Sequence, residues 1–251
     1  MLRASGLVSF ARDRLGYLVR AAAEQGVVAR LAMGRATFLL SSPEDIRHVL
    51  VSNVSNYEKT PRLVGKRGRS FFGNGLVTAQ YDDHLRERRV LQPIFHREIM
   101  AHFSGCITAQ ADKMLARWEP GRTLDVHKEM HDLTKRIILR ALFADEPEEV
   151  LDRFSRAAAT RRRYQEALLG MFSLAAIHIP SPIGFMNARA DREMMEIVSA
   201  ALRRRRSSPT PLADFVAMLS ALRYDDGSQL AEGQIFDETR TIALGGYETL
   251  A

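Results

Sequence analysis

Apolar residues recur at helical spacing through residues 7–25, where Leu7, Phe10, Leu15, Leu18, Val19 and Ala22 mark one stripe. That period predicts an amphipathic first helix. Residues 27–33 and 36–40 are apolar-rich on either side of Gly34-Arg35, which predicts a β-hairpin. Ser42 followed by Pro43, Glu44 and Asp45 reads as a capped helix start, with Ser42 as the cap and Pro43 in the first turn, and the helix runs to about Ser52. Residues 57–72 are polar, basic and without period, and predict a loop. Gly73-Asn74-Gly75-Leu76-Val77-Thr78 is a second loop, punctuated by two glycines and an asparagine. Residues 81–91 predict a helix with Asp82 and Asp83 in its first turn, closed by Pro93. Helical patterns then cover 98–118, 129–143, 148–170, 187–206 and 211–222, with a short extended piece at 123–126 and a turn at 224–227. Residues 172–183 are apolar and contain Pro180 and Pro182, and residues 234–251 are helical again. The whole is mainly α with one small hairpin.

Composition narrows the class. A chain of 251 residues with 46% hydrophobic content holds one large domain or two small ones with a sizeable core. The balance of 36 basic and 30 acidic residues leaves a net charge of +6, too mild to name a polyanionic partner. The arginine runs at 161–163 and 203–206 raise nucleic acid, but no fold motif supports it, and both read as solvated surface. Cys106 is the single cysteine, which excludes an internal disulfide and suits a reducing compartment. Arg3, Arg12 and Arg14 interrupt the N-terminus, and no apolar run reaches the length of a transmembrane span. A cytoplasmic protein is expected.

Two short motifs carry chemistry. His84 and Arg88 are four residues apart, so they share one helical face and suit a pair of carboxylates. Gly245-Gly246 stands inside a helical pattern, where each glycine costs about 1 kcal/mol against alanine and so calls for a close approach. No other constellation matches them. Asp82, Asp83 and His84 point in different directions, and the pair His127 and His131 has no third ligand, so no metal site is expected.

The first motif, with its continuation Arg88-Arg89-Val90-Leu91-Gln92-Pro93-Ile94-Phe95-His96, resembles the C-helix region of the cytochrome P-450 superfamily of haem-thiolate monooxygenases. Gly245-Gly246-Tyr247-Glu248-Thr249 resembles the I-helix motif (A/G)-G-x-(D/E)-T of the same family, with Tyr247 at a position that is often His and Leu250 at a position that is often Thr. The intervening elements follow the family's order from helix A to helix I. The resemblance implies a mainly α cytochrome P-450-like fold and a single partial domain over residues 1–251. It implies haem b (iron protoporphyrin IX), bound through its propionates by His84 and Arg88, with Gly245 and Gly246 admitting dioxygen. Glu248 and Thr249 would be the acid–alcohol pair that relays protons. Phe71, Phe72, Leu76, Thr241 and Ile242 are the candidates for substrate contact, with core packing an equal rival for the first three. The activity implied is insertion of one oxygen atom of dioxygen into an apolar small molecule. Electrons would come from a ferredoxin- or flavoprotein-type donor that docks near Arg86 and Arg89.

The family's Glu-x-x-Arg helix and Cys-bearing haem loop have no counterpart in the sequence, which runs to Ala251 inside the I helix. Cys106, in Ser-Gly-Cys-Ile, matches nothing in that loop and reads as a small buried hydrophobe. The chain alone is therefore expected to be inactive, and to fold as a poorly stable fragment with exposed apolar surface. The alternatives are a non-catalytic fragment or pseudoenzyme, and a basic helical ligand- or nucleic-acid-binding regulator.

Overall fold

A computed structural model describes residues 2–33, 35–170, 182–207 and 214–248. The chain forms two compact units, residues 1–58 and 59–251.

In the first unit the stripe expected as one helix is two, α1 (Leu2–Arg12) and α2 (Arg14–Gln25). The break is Asp13, whose carboxylate accepts the Gly16 N–H at 2.9 Å and caps α2. The hairpin forms as β1 (Val28–Met33) and β2 (Arg35–Leu40), antiparallel, with Val28 opposite Leu40 and Met33 opposite Arg35. Ala21, Ala29 and Leu31 are its small core, with Tyr17, Leu18, Met33 and Leu39 packed around them. Gly6 lets α1 lie against β1, since a Cβ there would fall 2.2 Å from the Ala32 carbonyl oxygen. Ser42 caps α3 (Pro43–Arg47), which loosens into a π-helical turn, His48–Ser52.

The second unit opens with a correction. Residues expected as an unstructured loop hold two short helices, α4 (Pro61–Val64) and α5 (Lys66–Phe72). Their weak period concealed them, because tertiary packing rather than propensity holds such short helices. After the 73–78 loop comes α6 (Tyr81–Leu91), with the bounds the sequence predicts, closed by a 3₁₀ turn at Gln92–Phe95. The single helix expected over 98–118 is α7 (Arg97–His102) and α8 (Ser104–Leu115), separated at Phe103, which is buried and stacks on Phe215 at 4.8 Å. Residues 122–125 form neither helix nor strand, and Val126 already belongs to the next helix. Asp125 caps α9 (Val126–Phe143), and α10 (Glu148–Gly170) follows. α11 (Pro182–Ser207) begins five residues before the expected start. Asp214 caps α12 (Phe215–Ala221), and α13 (Glu232–Glu248) is the last element. The apolar piece expected at 172–183 lies for the most part outside the described residues.

Helices α9 to α13 enclose the main core. Leu142, Phe143, Phe154, Ala201, Leu202, Val216 and Leu219 have no measurable exposure. The arginine run at 203–206 is exposed at Arg203, Arg204 and Arg206, as expected, but three of its members are paired. Arg204 bonds Glu146, Arg205 bonds the fully buried Asp214 at 2.9 Å and Arg206 pairs with Glu232. Three helices are tied together there. Removing half of the buried Arg205–Asp214 pair would strand a charge.

Replacing Leu142 by alanine should cost about 2–5 kcal/mol in urea unfolding, because the cavity is walled on every side. Replacing Leu115, half exposed on α8, should change stability by less than about 0.5 kcal/mol.

Candidate functional site

The loop 73–78 and helix α13 are more than 150 residues apart in sequence and meet directly. The backbone N–H of Asn74 donates to Asp237 at 2.7 Å, and that of Leu76 donates to Glu238 at 2.8 Å. The glycines explain the fit. Gly73 has φ 78°, and a Cβ on it would fall 2.1 Å from an Asp237 carboxylate oxygen; one on Gly75 would fall 2.6 Å from Glu238. Buried Thr78 closes the loop by donating to the Gly73 carbonyl at 2.6 Å. Glu87 of α6 completes the join, accepting from Gln234 of α13 at 3.1 Å and from the Tyr224 hydroxyl at 2.9 Å.

Helix α6 sorts its charges. Arg86 lies over the Tyr224 ring at 3.9 Å and pairs with Asp226; Arg89 pairs with Asp225 at 2.9 Å. The two arginines read as a docking patch are therefore matched by two aspartates. His84 and Arg88, by contrast, face no carboxylate among the described residues. His84 is held below its ordinary pKa, first by burial and then by the nearby charges of Lys59 and Arg88. Lys59 is a site residue that the sequence did not flag. Its ammonium donates to three carbonyls, Leu76 at 3.0 Å, Val77 at 3.1 Å and Ala79 at 2.8 Å. It fixes the segment that leads into α6 and adds a third cation beside His84. No composition or motif signal distinguishes it from the other basic residues of 57–72.

A small, partly open cavity of about 20 Å³ lies between α5, α10, α11 and α13. Phe72, Ala158, Met194 and Leu244 supply apolar wall, and Arg161, Arg240 and Thr241 supply polar wall. Of the five residues proposed for substrate contact, Phe72 and Thr241 line it. Leu76 and Ile242 pack instead against the main core, and the Phe71 side chain lies outside the described residues. Arg161 corrects the sequence reading. It is 3% exposed rather than solvated, pairs with Asp191 and donates to the Ser70 carbonyl at 3.0 Å. Arg240 bridges Asp191 and Asp237, each at 2.8 Å. Arg161 and Asp237 were legible only as charged residues in helical segments, because nothing in a linear pattern states that four charges converge.

The paired glycines have different surroundings. A Cβ on Gly245 would meet none of the described residues within 4 Å, while one on Gly246 would fall 2.6 Å from Ile138. Gly246 thus has a packing reason, the close contact of α13 with α9. The side chain of Glu248 and the whole of Thr249 lie outside the described residues. Cys106 is half-buried on α8, and burial pushes its thiol pKa up, so it is not an activated thiolate. Among the described residues no group of three His, Cys, Asp or Glu gathers as a metal site, and no helix is long and apolar enough to cross a membrane.

Burial raises Glu238 to about 7; Glu87 and Asp237 push the same way, while the Leu76 N–H opposes.

A family model described as Cytochrome P450 matches residues 8–251. A cyclooctat-9-en-7-ol 5-monooxygenase of Streptomyces melanosporofaciens is 30% identical, over 90% of this chain and 49% of its own length. A pentalenene oxygenase of Streptomyces avermitilis is 28% identical, over 90% of this chain and 50% of its own. The chain spans about half the length of the curated relatives it matches. Among solved structures, the haem domain of cytochrome P450DA superposes with a TM-score of 0.77 at 20% identity, covering 94% of this chain and 52% of that one. A retinoic acid-bound cyanobacterial relative gives 0.72 at 15%, covering 94% and 53%. At these identities the structures speak for the fold.

Because the folded chain keeps the Glu238 proton to higher pH than the unfolded chain, stability should fall as pH rises from about 4.5 to about 7, by up to about 3 kcal/mol. Glu238→Gln should flatten that slope in urea titrations at pH 5 and 7.5; parallel wild-type and variant profiles would contradict the assignment. Lys59→Met should move the His84 pKa back up toward its ordinary value, read from the imidazole resonances in an NMR titration.

Proposed function

The chain belongs to the cytochrome P450 family, and from that premise we propose that its whole protein is a haem-dependent monooxygenase acting on an apolar small molecule. The observation that carries the reading is the sorting of charge along α6. Its other long polar side chains in contact with the 225–234 segment are matched, and His84 and Arg88 are left facing no carboxylate. Two unmatched donors one helical turn apart suit two ligand carboxylates. The haem propionates are such a pair, so the residues present fit haem b on that side.

The haem iron, when bound, supplies the activation of dioxygen. Everything else falls to the chain. His84 and Arg88 hold the propionates, with Lys59 fixing the segment before them. Gly245 carries no side chain on α13, which suits the approach of a flat group, and Gly246 keeps α13 close to α9. Glu248 and Thr249 hold the proton path. Phe72 and Thr241 contact the substrate, and Phe71, Leu76 and Ile242 remain candidates for that contact. An electron donor of the ferredoxin or flavoprotein type serves the reaction, docking where Asp225 and Asp226 release Arg86 and Arg89. The family match runs through both compact units, which supports one partial domain over 1–251. The names of two relatives point to an alkene and an alkenol, which supports a neutral, largely hydrocarbon substrate. Cytoplasmic location is the companion proposal.

Cys106 favours a second reading for the 251 residues taken alone. Half-buried and held as a thiol, it does not suit an axial thiolate, so this chain by itself would be a non-catalytic binder of apolar ligands.

A haem titration separates these readings. The whole protein should take up haem stoichiometrically and give a thiolate-type Soret band in the reduced carbon monoxide form. His84→Ala with Arg88→Ala should weaken haem uptake at least about tenfold, the loss of two charge-assisted bonds. The proposal fails if the whole protein takes up no haem.

A further inference from the structure

Two carboxyl groups sit between α6 and α13 with only neutral donors to answer them. Gln234 of α13 gives its amide nitrogen to both, to Glu87 of α6 at 3.1 Å and to Glu238 at 2.9 Å. The other donors are the Tyr224 hydroxyl, 2.9 Å from Glu87, and the Leu76 N–H, 2.8 Å from Glu238. Glu238 is 1% exposed. Among the described residues no cation lies within ion-pair reach of either carboxyl. The charged groups around the pair are engaged elsewhere. Asp237, next on α13, accepts from Arg240 and from the Asn74 N–H. Arg86 of α6 lies over the Tyr224 ring and pairs with Asp226. Lys59 is bonded to the carbonyls of Leu76, Val77 and Ala79.

Two carboxyls that share one buried donor do not both ionise without cost, so the pair keeps a proton. Glu238 is its holder, raised to about 7 first by burial, with Glu87 and Asp237 pushing the same way. Tyr224 is itself pushed up to about 12, first by burial and then by Glu87, and stays a donor. With the proton in place the pair carries a single charge. Without it, two anions share one amide, and water reaches them when the 73–78 loop parts from α13. Parting gives up the Asn74 and Leu76 bonds and frees the segment that leads into α6. We propose that Glu87 and Glu238 form a proton-controlled clasp: with one proton between them the 73–78 loop stays docked on α13, and with none it opens and releases the start of α6. Closure is firmest below about pH 4.5, weakens as pH rises and is weakest above about 7, because the folded chain holds the proton more tightly than the open one. Since α6 bears His84 and Arg88, on the monooxygenase reading the clasp sets how firmly that pair is held for the ligand's carboxylates.

Site-resolved hydrogen exchange on the whole protein tests the clasp and needs no turnover. After correction for the intrinsic rise of exchange with pH, the Asn74 and Leu76 amides should lose at least about tenfold in protection between about pH 5.5 and 8. At about pH 8 they should be at least about tenfold less protected than Leu142 in the core. Glu238→Gln keeps the shape and the acceptor for Leu76 but cannot ionise, and should hold the loss to within about threefold. Glu87→Gln keeps an acceptor for Tyr224 and removes the second charge, and should leave a smaller loss than the wild type shows. Protection that does not change with pH, a loss that survives Glu238→Gln, or a Leu76 amide as protected as Leu142, so that the loop opens only with the whole fold, overturns the proposal. Haem uptake on the same samples reports separately: a protein that shows the exchange loss but takes up no haem keeps the clasp and loses the monooxygenase reading.

Discussion

Two backbone amides donated to two adjacent carboxylates hold the second unit's functional elements together. Asn74 and Leu76 present their N–H groups to Asp237 and Glu238, and this joins the start of the α6 region to the helix that bears the paired glycines. The bonds demand that Gly73 and Gly75 lack side chains, since a Cβ on either would collide with the carboxylate it approaches. They also demand burial, and burial is what raises Glu238 toward neutrality. Each bond is worth on the order of 1–3 kcal/mol, but the constraint they impose is geometric. With α13 latched to the loop, Arg240 is placed beside Arg161 and Asp191, and the cavity acquires its polar wall.

Several charges of the second unit are matched in its interior. Within the arginine runs, Arg161 pairs with Asp191 and Arg205 with Asp214 in the interior, Arg204 and Arg206 pair with Glu146 and Glu232 from half-exposed positions, and Arg163 and Arg203 are exposed. Pairing in the interior adds modest net stability, because desolvation offsets attraction. Its effect is specificity of arrangement. On α6, His84 and Arg88 have no carboxylate partner among the described residues, and on α13 Arg240 Nε and Thr241 Oγ1 are buried without a hydrogen-bond partner.

Much of the fold was legible because it rests on local rules. The α6 bounds follow from its acidic first turn and closing proline, the α3 start from Ser42 and Pro43, and the hairpin from apolar runs flanking a glycine. The misses share a cause. Asp13 and Phe103 break helices through a side-chain cap and a buried aromatic contact, and α4 and α5 are too short to show a period. Within the site, His84, Arg88, Thr241 and Phe72 could be named from spacing and family likeness. Lys59, Arg161, Asp237 and Glu238 could not, since each acts through partners distant in sequence.

By itself the sequence determined where most helices lie, that a small hairpin precedes them, and which two short motifs carry the family likeness. Those are consequences of periodicity, capping and glycine placement, which act within a few residues. Only the tertiary structure decided which charges are neutralised and which donors remain. It also set Gly246 against Ile138. The physical reason is that desolvation and hydrogen-bond satisfaction depend on what the whole fold brings within a few ångströms, and chain order does not carry that information.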